Sequence, residues 1–179
     1  NYKLKQFIHV SALGIEKAID SEYAKSKLKG EKNILNNFSS SVILRPSLVY
    51  SVNDNFTTNI MTLLSLLPVF PLYYNGNTKF SPIHVTDFCE IIAKIIDESI
   101  FSEIIECVGP EELSFKEIIK KLLIAIDKKT FLLPVPTIIA KITAFFLEKL
   151  PTPLITQDQL RLLKYDNILS QENKSNIDI

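Results

Sequence analysis

The sequence predicts an α/β fold, with a parallel sheet that continues into a small, mostly helical lobe. Two observations predict it. Short apolar runs of strand length alternate with stretches of helical periodicity, which is the pattern of an α/β chain. The 179 residues, 46% hydrophobic and 22% charged, suffice for one compact domain with an appended lobe and exclude wholesale disorder.

Strands are predicted where short runs of aliphatic residues occur, at 7–10, 41–49, 104–108 and 131–135. The second run should lose its regular pairing at Pro46, because proline has no N–H to donate. Asn75-Gly76 favours a tight turn and therefore predicts a hairpin over residues 72–80.

Helices are predicted at 22–36, 59–67, 87–98, 115–126, 136–150 and 156–164. The fourth begins after a capping box, because Ser114 stands three residues before Glu117. The segment 138–150 carries more apolar surface than one narrow stripe needs. It either fills the core of the lobe or forms a docking surface for a partner protein or a membrane boundary.

Charge and metal-ligating residues exclude several functions. Twenty basic residues balance twenty acidic ones, so nothing favours binding to nucleic acid. Cys89 and Cys107 provide neither a disulfide framework nor a zinc site, and a reducing compartment is expected. His9 and His84 have no ligand spacing around them, so no metal site is predicted.

One group of residues suggests carbonyl or alcohol chemistry. Tyr23 and Lys27 stand four residues apart on one predicted helix, and therefore on one face. We expect the cation to lower the pKa of the phenol and to prepare it for proton transfer. Ser11 follows a predicted strand, and its hydroxyl could hold the same substrate oxygen. Chance alone yields roughly 0.6 Tyr-x-x-x-Lys matches in this composition, so the setting gives the motif its weight.

The motifs around this group occur in a characteristic order. They are Phe7-Ile8-His9-Val10-Ser11, Tyr23 with Lys27, Leu44-Arg45-Pro46-Ser47-Leu48-Val49-Tyr50 and Ser81-Pro82-Ile83-His84-Val85 with Asp87. The set resembles the latter part of an extended or atypical short-chain dehydrogenase/reductase, in the NAD-dependent epimerase/dehydratase superfamily. Residues 108–117 and 154–167 resemble the branch that contains the nucleotide-binding accessory subunit of respiratory complex I.

The resemblance implies roles for individual residues. Ser11 and Tyr23 would contact the substrate oxygen, and Tyr23 with Lys27 would bind the cofactor, the lysine at the nicotinamide ribose. The nicotinamide end would be lined by Arg45, Pro46, Ser47, Leu48 and Val49. The cofactor would be NAD or NADP, held in the full-length parent by a glycine-rich turn in an N-terminal half that this sequence lacks.

The resemblance also implies a division of the chain. Residues 1–51 would be the C-terminal part of a Rossmann-like nucleotide-binding domain, and residues 52–170 a substrate lobe from which about 83–108 return to the sheet. Residues 171–179 would be a disordered tail.

Three functions stay open. The protein is a nucleotide-binding complex I accessory subunit, an active NAD(P)-dependent oxidoreductase or epimerase with an unknown small-molecule substrate (quinone-related or a nucleotide sugar), or a non-catalytic scaffold. Partners would be complex I subunits or the membrane periphery. Localisation would be cytoplasmic or at the inner membrane in a bacterium, and on the mitochondrial matrix side in a eukaryote.

Overall fold

The computed structural model describes residues 4–149 and 155–179. Its strands are β1 (Ile8–Val10), β2 (Val42–Pro46), β3 (Val49–Tyr50), β4 (Val69–Tyr73), β5 (Lys79–Phe80), β6 (Ile83–His84), β7 (Ile104–Cys107), β8 (Leu113–Ser114), β9 (Phe131–Val135) and β10 (Lys174–Ser175). Its helices are α1 (Glu22–Asn37), α2 (Asn55–Leu66), α3 (Val85–Asp97), α4 (Phe115–Ala125), α5 (Thr137–Leu147) and α6 (Gln157–Leu162).

A four-stranded parallel sheet in the order β1-β2-β7-β10 forms the centre of the fold. Every residue of β2 is buried, as expected for a strand in the middle of a parallel sheet. Phe88 and Ile95 of α3 pack on this sheet. The pairing of β2 ends at Pro46, as the sequence predicted. The predicted α/β fold with a parallel sheet is therefore confirmed.

The lobe has a second core of its own. It is built from α2, α4 and the parallel pair β4-β9, and its most buried members are Leu64, Leu72 and Ile119. The helix α4 begins with the predicted capping box: Glu117 N–H donates to Ser114 Oγ, and Ser114 N–H donates to the Glu117 carboxylate. Local sequence signals thus fixed the start of this helix correctly.

Two predicted features differ in the structure. The hairpin over 72–80 is wrong, because β4 pairs with β9 and β5 pairs with β8. The chain still turns there, with positive φ at Tyr74, Asn75 and Gly76, but it leads to different partners. The segment 171–179 was expected to lack order, whereas Lys174–Ser175 pairs with β7 and Asn176 exchanges hydrogen bonds with Val108.

Helix α5 buries small residues and exposes large apolar ones. Ala140 and Ala144 are buried against Tyr73 and Leu160, whereas the larger apolar residues on the helix are exposed. These exposed residues are Ile138, Ile139, Ile142 and Phe145. The side chain of Phe146 and residue 150 lie outside the described residues. Within the described ranges, no helix has both the length and the apolar character that a bilayer crossing requires.

Candidate functional site

The site is built at the carboxyl end of β1. Ser11 follows this strand directly and continues its pairing, because its N–H donates to Leu44 O at 2.7 Å. The side chain is buried, and its Oγ has no hydrogen-bond partner among residues 4–149 and 155–179. A buried hydroxyl without a partner is uncommon in native proteins and fits a group that bonds to a bound molecule.

Helix α1 brings Tyr23 and Lys27 to this strand end. Lys27 Nζ donates to Val10 O at 3.2 Å and lies 5.8 Å from the centroid of the Tyr23 ring. The lysine therefore contacts both the predicted phenol and the residue that precedes Ser11. The sequence predicted that Tyr23 and Lys27 share one helix face, and the structure confirms it. That Ser11 faces the same substrate atom, and the catalytic and cofactor-binding roles of the three residues, stay predictions.

The protonation state of Tyr23 differs from the expectation. Partial burial of the ring raises the pKa of Tyr23 above its ordinary value. The expected lowering by Lys27 is thus wrong in direction, because desolvation of the phenolate is the dominant effect. The phenol is protonated at neutral pH and can donate a hydrogen bond or a proton to a carbonyl oxygen.

The segment predicted to line the nicotinamide end is mostly engaged in internal contacts. Arg45 is buried, and its guanidinium binds both oxygens of Glu31 at 2.9 and 2.6 Å and Glu16 at 2.8 Å. Burial opposes the charge of Arg45, but the two carboxylates outweigh it and raise the pKa of Arg45. The two carboxylates balance the charge of the guanidinium, and the contact with Glu31 links β2 to α1.

The other four residues of this segment have different environments. Pro46 is buried, and its carbonyl accepts from Leu13 N–H at 2.9 Å. The Ser47 hydroxyl lies 2.8 Å from Asn167 O and 2.6 Å from its Oδ1. Leu48 lines an open, largely apolar cavity of about 340 Å³, and Val49 pairs with β6. Contact of these residues with a cofactor stays a prediction.

Two residues that the sequence analysis did not single out hold the site together. The Asn167 amide donates to Leu13 O at 2.5 Å and accepts from Ser47, so it joins the segments that follow β1 and β2. Asp158 on α6 accepts hydrogen bonds from the first turn of α1. Both lie more than 100 residues from their partners, so no local pattern marks them.

The histidines have roles in the fold. His84 caps α3, because its Nδ1 accepts from Thr86 N–H at 3.3 Å. His9 lies on β1, and burial, with a smaller effect from Lys27, lowers its pKa. In the described part of the chain, no three His, Cys, Asp or Glu side chains come together to hold a metal ion.

Curated relatives identify what this chain resembles. It is 26% identical over 177 residues to the mitochondrial NADH-ubiquinone oxidoreductase 40 kDa subunit of Neurospora crassa, covering 97% of this chain and 46% of that protein. It is 26% identical over 178 residues to the mitochondrial NADH dehydrogenase (ubiquinone) 1 alpha subcomplex subunit 9 of Arabidopsis thaliana, covering 93% and 44%. The chain is a homologue of these complex I subunits. It spans less than half of their length, and no protein-family model matches it.

Solved structures confirm the fold. The UDP-glucuronic acid 4-epimerase from Bacillus cereus, in complex with UDP-glucuronic acid and NAD, matches with a TM-score of 0.61. The two are 21% identical, and the match covers 95% of this chain and 59% of that one. The predicted Rossmann-like fold is therefore confirmed.

Proposed function

We propose that this chain forms part of an NAD(P)-binding accessory subunit of complex I, in which bound nucleotide serves the assembly or stability of the complex. One observation carries the proposal: Lys27 lies beside Tyr23 and beside the carboxyl end of β1, in a chain homologous to complex I subunits. Ligands of open α/β sheets bind outside the carboxyl ends of the strands. Lys27 would hold the ribose, and Ser11 and Tyr23 would face the reactive end.

Nucleotide binding is tested on the full protein that the gene encodes. After purification, denaturation should release NAD or NADP, which mass spectrometry identifies. Lys27→Met should lower the occupancy, because it removes the ammonium at the strand end. Lys25→Met is the matched control, since Lys25 lies on the same helix and pairs with exposed Glu22 at 2.7 Å. Equal occupancy in both variants, or no nucleotide in the parent, would contradict the proposal.

An active oxidoreductase or epimerase is the second candidate. The favouring observation is the buried Ser11 hydroxyl, which has no partner among the described residues, together with a Tyr23 phenol that holds its proton. A protein that only stores nucleotide does not need this combination. In this function, Tyr23→Phe would abolish turnover while nucleotide stays bound. A parent protein that carries nucleotide but does not turn over carbonyl or alcohol substrates supports the accessory role. A parent protein with neither bound nucleotide nor turnover supports a scaffold.

The exposed face of α5, formed by Ile138, Ile139, Ile142 and Phe145, is the candidate surface for the complex. The relatives are mitochondrial proteins by name. Their names support a mitochondrial location for this chain, and the matrix side of the inner membrane is our proposal. Ile138→Ser with Ile142→Ser should reduce comigration with complex I on native gels. Val52→Ser is the control, because Val52 is more exposed than either isoleucine and lies elsewhere. Unchanged comigration of the double variant would exclude this surface.

A further inference from the structure

The first turn of α1 is held by a carboxylate from a distant part of the chain. Asp158 Oδ1 accepts from Glu22 N–H at 2.8 Å, and Asp158 Oδ2 accepts from Tyr23 N–H at 2.9 Å. Oδ2 also accepts from the Ser21 hydroxyl at 2.9 Å. These partners are 135 to 137 residues away from Asp158 in sequence.

This arrangement completes the start of the helix. The first N–H groups of a helix have no partner within it and are normally satisfied by the residue just before it. Here Ser21 does this for only one of them, Ala24 N–H, at 3.2 Å. Asp158 supplies the acceptors for Glu22 and Tyr23, and its negative charge lies at the positive end of the α1 dipole.

Asp158 lies in the first turn of α6, which has contacts of its own within the lobe. Helix α6 starts with a capping box between Thr156 and Gln159, and Leu160 is buried against α5. Gln157 donates to both oxygens of the Glu148 carboxylate, from its N–H at 3.1 Å and from its Nε2 at 2.6 Å. Asp158 is therefore tied to the lobe independently of α1, and its carboxylate links the first turn of α1 to the lobe.

We propose that Asp158 is a positioning residue for Tyr23: by fixing the first turn of α1, the lobe determines where the phenol stands relative to Ser11. Tyr23 is the second residue of the helix, so its backbone is held directly by the Asp158 carboxylate. Lys27 lies one turn further on and is held separately by Val10 O. The importance of this position for nucleotide rests on the function proposed above.

The test compares Asp158→Asn with Asp54→Asn in the natively encoded protein. An asparagine at 158 keeps the shape but has one acceptor oxygen for three donors, so the first turn of α1 loses part of its support. Asp54 caps α2, accepting from Thr57 N–H at 2.7 Å, and α2 carries none of Ser11, Tyr23 and Lys27. The control therefore loses a similar contact without affecting α1.

The main readout is the ionisation of Tyr23, followed by NMR of ring-labelled tyrosines and assigned with Tyr23→Phe. Partial burial raises the pKa of Tyr23 in the parent. Asp158→Asn should move this pKa back toward the ordinary value, because a loosened first turn exposes the ring, whereas Asp54→Asn should leave it unchanged. An equal shift in both variants would indicate general destabilisation and would contradict the positioning role.

Nucleotide affinity is the second readout. We expect Asp158→Asn to raise the Kd for the released nucleotide about tenfold, a loss of about 1.4 kcal/mol. An unchanged Tyr23 pKa in folded Asp158→Asn overturns the positioning role, whatever the nucleotide does. A shifted Tyr23 pKa in a protein that binds no nucleotide keeps the positioning role and overturns the proposed function. If Asp158→Asn folds poorly, Asp158→Glu replaces it. This variant retains both carboxylate oxygens, so its Tyr23 pKa should fall less far below the parent value than the pKa expected for Asp158→Asn.

Discussion

Helices α1 and α5 are attached to the molecule in opposite ways. Helix α1 is held by directional polar contacts, from Asp158 to its first turn, from Lys27 to β1, and from Glu31 to buried Arg45. Helix α5 packs through Ala140 and Ala144 and exposes its large apolar residues. Hydrogen bonds and ion pairs fix a distance and a direction, whereas packing of small residues fixes only close approach. The helix that carries the candidate chemistry has the attachment that specifies position.

The largest expected effect comes from the ion pair that anchors α1. Arg45→Met leaves the buried Glu31 carboxylate without its partner and should reduce the free energy of unfolding by about 3–5 kcal/mol. Urea unfolding at neutral pH measures this loss. Arg45→Met combined with Glu31→Leu should recover most of it, because no buried charge remains. A single variant within about 1 kcal/mol of the parent would show that Glu31 finds solvent when Arg45 is absent.

A bulky residue on the alanine face of α5 should have the next largest effect. Ala144 is completely buried, so Ala144→Leu forces neighbouring side chains apart. Overpacking of this kind destabilises by about 1–3 kcal/mol. Urea unfolding and the α-helical circular dichroism signal measure it. Full stability of Ala144→Leu would mean that α5 can move away from the lobe.

Acid should weaken the polar attachment of α1. Burial alone would raise the pKa of Asp158. Its hydrogen bonds outweigh this effect and bring the pKa below the ordinary value; the donors are the N–H groups of Tyr23 and Glu22, the Ser21 hydroxyl and Arg161. The contribution is complete above the unfolded value of about 3.9 and is lost as the pH falls through the lower folded value. We expect the parent to lose about 1 kcal/mol more than Asp158→Asn on acidification, the typical worth of a helix cap. Parallel stability curves from pH 6 to below pH 4 would contradict this.

The smallest effect is expected on the exposed face of α5. Ile142→Ser removes a side chain that is more than half exposed and should change the free energy of unfolding by less than about 0.5 kcal/mol. The same substitution contributes to the loss of association proposed above. A larger loss of stability, seen in urea unfolding of the isolated protein, would mean that this face packs within the molecule.

The sequence predicted those features whose causes are local. The capping box of Ser114 and Glu117 and the end of β2 at Pro46 depend on residues within a few positions, and both are confirmed. Tyr23 and Lys27 were placed on one helix face by their spacing alone. The order strand, serine, helix predicted that Ser11 faces Tyr23 and Lys27, but the contact of Lys27 with Val10 O of β1 was not predicted.

The features that were missed depend on distant partners. The Asn75-Gly76 turn occurs, but β4 finds a partner in β9, about 60 residues further on, instead of in β5. The direction of the Tyr23 pKa shift depends on burial, which spacing does not reveal. Asp158 stands inside the capping box of α6, which marked the helix but not the side chain that reaches α1.

The distance between Ser21 and Asp158 along the chain has a consequence for biosynthesis. The cap of α1 joins positions 137 residues apart, so a growing polypeptide cannot complete it until α6 has left the ribosome. Until then, the helix bearing Tyr23 lacks acceptors for its first N–H groups, and closing so long a loop is slow. Chains that end before α6 should therefore hold the first turn of α1 less firmly than the finished protein.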